Sequence, residues 1–255
     1  MSNPQDIDRR IFAAEDLVDA TTKAAEAGDA QAMFDLSLMY SKGEGVEQSL
    51  EKYFYWCHQS AEAKHIAAMR LLAFLYLEGI GVDKSLKKST AWYRKAAEAG
   101  DAIAMVNLGC CYQEGIGIKQ DINQAVGWYQ RAAELGDPQA MQQLAYCCLH
   151  GAGLSQDVQQ ASYWRQKAAA LGHGAAMFDV GVSYTHGVGV EVNHELAVYW
   201  YLNAVGAGYY EANGNLAICY ENGLGVDKDM ERSEFYYRKV ARTAVAQQFG
   251  LNAEE

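Results

Sequence analysis

Apolar positions recur along this chain at two nested spacings. Locally they fall three and four apart: Ala32, Met33, Leu36 and Tyr40 form one set, Ala68, Met69, Leu72 and Tyr76 the next, then Ala104, Met105, Leu108 and Tyr112. At about 100° per residue each set lies on one face of an α-helix. The whole set then returns after 36 residues, a repeat length that settles the fold before any local propensity is weighed. Gly43, Gly79, Gly115, Gly151, Gly187 and Gly223 keep that period, and each is followed two places later by a second glycine and then an aliphatic residue. Thirteen residues after the first glycine stand Trp56, Trp92, Trp128, Trp164 and Trp200, which are all five tryptophans, and then Tyr236.

Each period reads as two helices. Six residues after the first glycine comes Ser49, Ser85, Asp121, Asp157, Asn193 or Asp229, residue types whose side-chain oxygen accepts an orphaned backbone N–H at a helix start. The second helix ends near Gly100, Gly136, Gly172 and Gly208, where glycine adopts the left-handed turn without a Cβ penalty. The first helix then runs to the Gly-x-Gly loop. These marks predict six units at 29–64, 65–100, 101–136, 137–172, 173–208 and 209–244. An N-terminal capping helix lies within 1–28 (Ile7 to Ala27), and 245–255 extends the last helix as a tail. No linker composition interrupts the array, so one continuous domain is expected. The sixth unit departs from the pattern, with Tyr236 for tryptophan and Asn213 for methionine.

The third unit, Ala104 to Gly117 (Ala-Met-Val-Asn-Leu-Gly-Cys-Cys-Tyr-Gln-Glu-Gly-Ile-Gly) followed by Trp128, Tyr129, Ala132, Ala133 and Gly136, resembles the Sel-one-like repeats, relatives of the tetratricopeptide α-solenoids. The resemblance covers residues 29–244. It implies an all-α fold, a right-handed α/α solenoid of helix-turn-helix repeats. It also implies a non-catalytic adaptor that holds a protein or peptide partner in the groove lined by the first helices.

Composition adds the setting. The 6 cysteines include adjacent pairs but no stapling pattern, and the N-terminus lacks a basic stretch followed by an apolar core, so a cytoplasmic protein is expected; that it is bacterial is what the resemblance implies. A net charge of −11 disfavours nucleic acid and suits a basic protein partner. No apolar run is long enough for a membrane span, and the sequence leaves the oligomeric state open.

Catalytic signals have structural readings. The six Gly-x-Gly segments are helix-to-helix turns, since a phosphate-binding fingerprint needs a preceding strand and a third glycine. Ser49-Leu50-Glu51-Lys52 and Ser85-Leu86-Lys87-Lys88 match the Ser-x-x-Lys of penicillin-recognising hydrolases, but both serines occupy the cap phase. Cys111, Cys147, Cys148 and His150 have no paired ligand spacing, and read as buried thiols and a solvent-facing histidine. No enzyme, metal or cofactor is expected.

A second stripe on the first helices points roughly 150° away from the core stripe. Its candidate partner-binding residues are Phe34, Leu38, Arg70, Phe74, Leu77, Val106, Gln142, Tyr146, Leu149, Phe178, Val182 and Ile218. Two readings stay open for it: an apolar groove available to a partner, or a stripe covered by neighbouring first helices. In the first reading Phe34, Phe74, Tyr146 and Phe178 are the anchors. A scaffold role leads, an immunity protein that neutralises a bacterial effector is the alternative, and a penicillin-recognising hydrolase comes last.

Overall fold

The computed structural model describes residues 16–249. Among them are thirteen α-helices and no strand. Helix α1 covers 16–26. It is followed by α2 Ala30–Lys42, α3 Leu50–Glu62, α4 Ile66–Glu78, α5 Leu86–Glu98, α6 Ala102–Glu114, α7 Ile122–Glu134, α8 Pro138–His150, α9 Val158–Ala170, α10 Gly174–His186, α11 His194–Gly206, α12 Ala212–Asn222 and α13 Met230–Phe249. The part of the N-terminal capping helix placed at 7–15, and the tail beyond 249, fall outside the described residues. The chain divides into two compact units, Met1–Arg131 and Ala132–Glu255.

The turn between the two helices of a repeat is fixed by backbone bonds that repeat with the period. Gly43 is left-handed at φ 74°, and its N–H and that of Glu44 both bond the carbonyl of Met39, which satisfies carbonyls that the helix end leaves open. The chain then doubles back, and the N–H of the next cap residue bonds a first-helix carbonyl: Ser49 to Tyr40, Ser85 to Tyr76, Asp121 to Tyr112, Asp157 to Cys148, Asn193 to Tyr184 and Asp229 to Tyr220. The same six residues cap the second helices through their side chains. The second glycine of the loop has another task. Gly81 is left-handed at φ 68°, and a Cβ there would overlap the carbonyl of Leu50 in the preceding repeat, so only glycine lets the loop seat on the start of α3.

In the first unit, first helices α2, α4 and α6 pack against second helices α3, α5 and α7 around Leu36, Leu72 and Leu108, none of which is exposed. The largest fully buried side chain there is Tyr129, whose ring lies where a side chain at Gly109 would stand. In the second unit Leu144, Val180 and Leu216 hold the corresponding positions, and Tyr201 faces Gly181 in the same way. Ring and glycine are thus a matched large and small pair, as close-packed interiors require. Of the tryptophans Trp92 is buried, while Trp56, Trp128, Trp164 and Trp200 are half-buried. The deepest aromatics are therefore the tyrosines that follow the tryptophans.

Two departures from the period have local causes. The turn before α4 carries Lys64 at φ 67°, the only non-glycine with positive φ among the described residues; its counterparts are glycines. Helix α12 starts late, at Ala212, because Tyr209 occupies the cap phase and Glu211 makes no side-chain cap bond. The Asn213 amide turns back to the carbonyl of Tyr210 instead.

Candidate partner-binding face

The starts of the first helices position the outward stripe, and they are capped in two chemistries. Asp29, Asp101 and Asp137 accept from the N–H three residues on at 2.7 to 2.8 Å. In α4 and α10 the cap is a histidine: His65 Nδ1 accepts from Ala68 N–H and His173 Nδ1 from Ala176 N–H, both at 3.2 Å. Their Nε2 atoms meet Gln31 Oε1 and Gln139 Oε1 of the preceding first helix at 3.0 and 3.2 Å. A ring nitrogen that accepts a backbone N–H must be bare, so each ring caps its helix through an unprotonated Nδ1. Burial lowers the His173 pKa from its ordinary value, against the opposing carboxylates of Asp137 and Asp179.

The candidate residues divide by exposure. Phe74, Tyr146 and Ile218 are 43%, 51% and 46% exposed, and they occupy one phase of α4, α8 and α12. Leu38 and Val182, at the same phase, are half-buried, as are Leu77 and Leu149. Phe34 is stacked on the His65 ring with centroids 4.7 Å apart. Phe178 packs on Tyr201 and Tyr209, and both it and Val182 lie against the second unit's core. Val106 is core rather than surface: at 5% exposure it can offer a partner almost no area. Arg70 is held by Asp101, Nε to Oδ2 at 3.1 Å. The candidate positions are thus open at Phe74 in the first unit and at Tyr146 and Ile218 in the second, and the other apolar candidates are half-buried or buried.

Two features of the surface were not foreseen from the residue pattern. The first is a polar cluster between α8, α9 and α10. Gln142 Nε2 donates to Asp179 Oδ2, and Arg165 Nε lies 3.6 Å from the same oxygen. Together with Gln143 and Tyr146 these residues line a cavity of about 160 Å³. The signal was available: the residue after the tryptophan is Cys57, Tyr93, Tyr129 and Tyr201 in the first, second, third and fifth repeats, but the charged Arg165 in the fourth. The second is a row of exposed aromatics on the second helices, the residue before the tryptophan or its substitute: Tyr55, Tyr163, Tyr199 and Phe235, each 47% to 56% exposed. Each packs edge-on against the ring that follows it.

The residues weighed for chemistry have structural employment. Ser49 Oγ accepts from Lys52 N–H at 3.3 Å and Ser85 Oγ from Lys88 N–H at 3.4 Å, so both act as caps. All six cysteines are free, five of them buried. Burial pushes the thiol of Cys57 up to about 12 and that of Cys147 to about 11, which leaves them neutral and poorly nucleophilic near pH 7. No helix among the described residues is long and apolar enough to cross a membrane.

Compared with known proteins, the chain matches the Sel1 repeat family model six times, at residues 30–65, 66–101, 102–137, 138–173, 174–209 and 211–242. Among solved structures it is similar to a protective antigen of uropathogenic Escherichia coli that displays an SLR fold, with 28% identity and a TM-score of 0.82, over 92% of this chain and 53% of that one. The chain therefore spans about half the length of that antigen. It is also similar to a Sel1 repeat protein from Oxalobacter formigenes, with 31% identity and a TM-score of 0.80, over 89% of this chain and 99% of that one. An immunity protein from Pseudomonas aeruginosa shares the fold, with 21% identity and a TM-score of 0.53, over 82% of this chain and 80% of that one. No curated protein matches the chain.

Proposed function

The chain belongs to the Sel1 repeat family, and from that premise we propose that it is a non-catalytic scaffold that binds a protein or peptide through the outward stripe of its first helices. Sel1 repeat proteins are in general protein-interaction scaffolds. The observation that carries the proposal for this chain is the exposure of Phe74, Tyr146 and Ile218 at one phase of the first helices. Aromatic and aliphatic side chains left open at a surface are what interfaces use as anchors. A net charge of −11 makes a basic partner the better match. The free cysteines suit a reducing cytoplasm, and the similar structures named above come from bacteria.

Neutralisation of a bacterial effector is a special case of the same activity, favoured by the charge. The likeness to the P. aeruginosa immunity protein bears on fold alone. The test is an affinity capture from the native host, run in parallel with the wild-type chain and a Phe74→Ala, Tyr146→Ala variant, followed by mass spectrometry. The expected result is a partner recovered by the wild type and reduced at least tenfold with the variant, both proteins melting at the same temperature. Equal recovery by the two would place the binding surface elsewhere. If the recovered partner is a toxin, rescue of cells by co-expression distinguishes immunity from scaffolding.

A further inference from the structure

We infer that the outer side of α13 is a docking surface for a second copy of this chain, the two α13 helices packing antiparallel about a twofold axis beside Tyr237. The observation is a loss of cover against the period. In earlier repeats the first helix of the next repeat closes over this phase of the second helix: Tyr93 lies close to Cys111 of α6, and Tyr201 bonds Asn215 of α12. Tyr93, Ala96, Ala97, Tyr201 and Ala204 are accordingly at most 4% exposed. In α13 the same phases hold Tyr237, Val240 and Ala241, and all three are exposed, Tyr237 at 44%. The Tyr237 hydroxyl still donates to Glu221 Oε2 of its own repeat at 3.0 Å, so what it lacks is the covering helix. Met230, also exposed, lies two turns earlier on the same side. A terminal solenoid repeat ordinarily turns a polar face outwards; this one turns out residues of the kind that earlier repeats bury.

The charges along α13 specify what covers it. Glu231 and Glu234 precede Tyr237, Arg238 and Arg242 follow it, and all four are exposed. At about 100° per residue they fall on one flank of the apolar side. The other cations are in use within the repeat: Arg232 reaches the Tyr220 hydroxyl and Asp229 Oδ2, both at 3.3 Å, and Lys239 Nζ lies 4.8 Å from the ring centroid of Phe235. Two copies of α13 packed in parallel set like charges opposite each other. Packed antiparallel about Tyr237, Glu234 faces the partner's Arg238 and Glu231 faces the partner's Arg242, on both sides of the axis. The helix dipoles then oppose as well. Glu234 and Arg238 already pair within the helix at 2.7 Å, so two copies bring four alternating charges together. Such a contact is isologous and closes at two copies. One helix against one helix buries less than a standard interface, so the dimer is a micromolar one.

The test is sedimentation velocity on the full chain alone, from about 1 μM to about 1 mM, at about 0.15 M salt to screen the net charge of the two copies. The expected result is a monomer–dimer equilibrium. Glu234→Arg and Arg238→Glu change exposed side chains and should melt nearly as the wild type does, yet each weakens its own dimer about tenfold or more by setting like charges across the axis. Mixed together, the two variants form a heterodimer comparable to the wild-type dimer, since every pair across the axis is again opposite. Only a face that meets itself antiparallel gives that recovery. The Phe74→Ala, Tyr146→Ala variant dimerises as the wild type does. A chain that stays monomeric over the whole range overturns the inference, and so does a dimer that the single charge reversals leave unchanged or that their mixture fails to restore. A dimer abolished by Phe74→Ala, Tyr146→Ala places the contact between copies on the first helices and overturns it too.

Discussion

Trp92 and Phe74 separate the two jobs an aromatic residue performs here. Trp92 is 7% exposed, with Lys95 Nζ 3.6 Å from its ring centroid, whereas Phe74 is 43% exposed. Trp92→Ala empties a packed site and is expected to cost about 3 to 5 kcal/mol. Phe74→Ala removes little that folding buries and should stay within about 0.5 kcal/mol of the wild type. Urea denaturation of the two variants checks this, and comparable losses would show that Phe74 supports the fold rather than the surface. Lys64 offers a gain instead. It holds φ 67° where the matching turns have glycine, and the left-handed region costs a residue with a Cβ roughly 1 to 2 kcal/mol. Lys64→Gly should raise stability by about 1 kcal/mol, less the entropy that glycine adds to the unfolded chain. A lowered urea midpoint would mean that the lysine side chain contributes more than its backbone strain costs.

At the scale of the helix, the caps connect sequence to pH. Asp29, Asp101 and Asp137 cap through a carboxylate oxygen, but His65 and His173 cap only while Nδ1 is bare. Burial holds the His173 pKa below its ordinary value of 6.5. Between the lowered folded value and 6.5 the unfolded chain binds the proton and the folded chain does not, so stability rises with pH across that window. It is complete above 6.5 and is lost as the pH falls towards the folded value. His173→Asn keeps a cap of about 1 kcal/mol and removes the titration. The fall in melting temperature from pH 7.5 to 5 should be smaller in the variant than in the wild type, and an equal fall would locate the acid sensitivity in other groups.

The helices, their turns and the second-helix caps were legible in the sequence because each rests on a residue type with one local use, repeated in phase. The histidine caps were not, since His65 and His173 show only a polar residue at a helix start, and capping depends on a ring tautomer fixed by Gln31 and Gln139. The late start of α12 was equally hidden, because Tyr209 fails as a cap only in what it lacks. Exposure along the outward stripe was legible in part. Periodicity gives its direction, but that Val106 is covered while Tyr146 is open depends on which neighbours approach, and no single helix encodes that. Arg165 was visible as a break in the tyrosine series, and its meaning required Asp179 and Gln142 to be brought beside it from two other helices.

Over the whole molecule the dominant property is charge: 32 acidic against 21 basic side chains and a net −11. Such a surplus does little for the fold, which rests on buried leucines, alanines and tyrosines, but it sets up a field that a basic partner meets before contact. Electrostatic steering raises association rates by roughly 10 to 10³-fold and is screened once the Debye length, about 10 Å at 0.1 M salt, drops below the separation of the charges. In the proposed function Phe74, Tyr146 and Ile218 are the anchors, and apolar contacts of that kind are not screened by salt. For the captured partner, raising the salt from about 0.05 to 0.5 M should therefore slow association about tenfold or more and leave dissociation nearly unchanged. Phe74→Ala and Tyr146→Ala should do the reverse, speeding dissociation at either salt concentration. Surface plasmon resonance with the purified pair separates the two rates. If salt acts on dissociation, the partner is held by charge pairs at the interface and not by the apolar stripe; if association is indifferent to salt, the acidic surplus has no part in recognition.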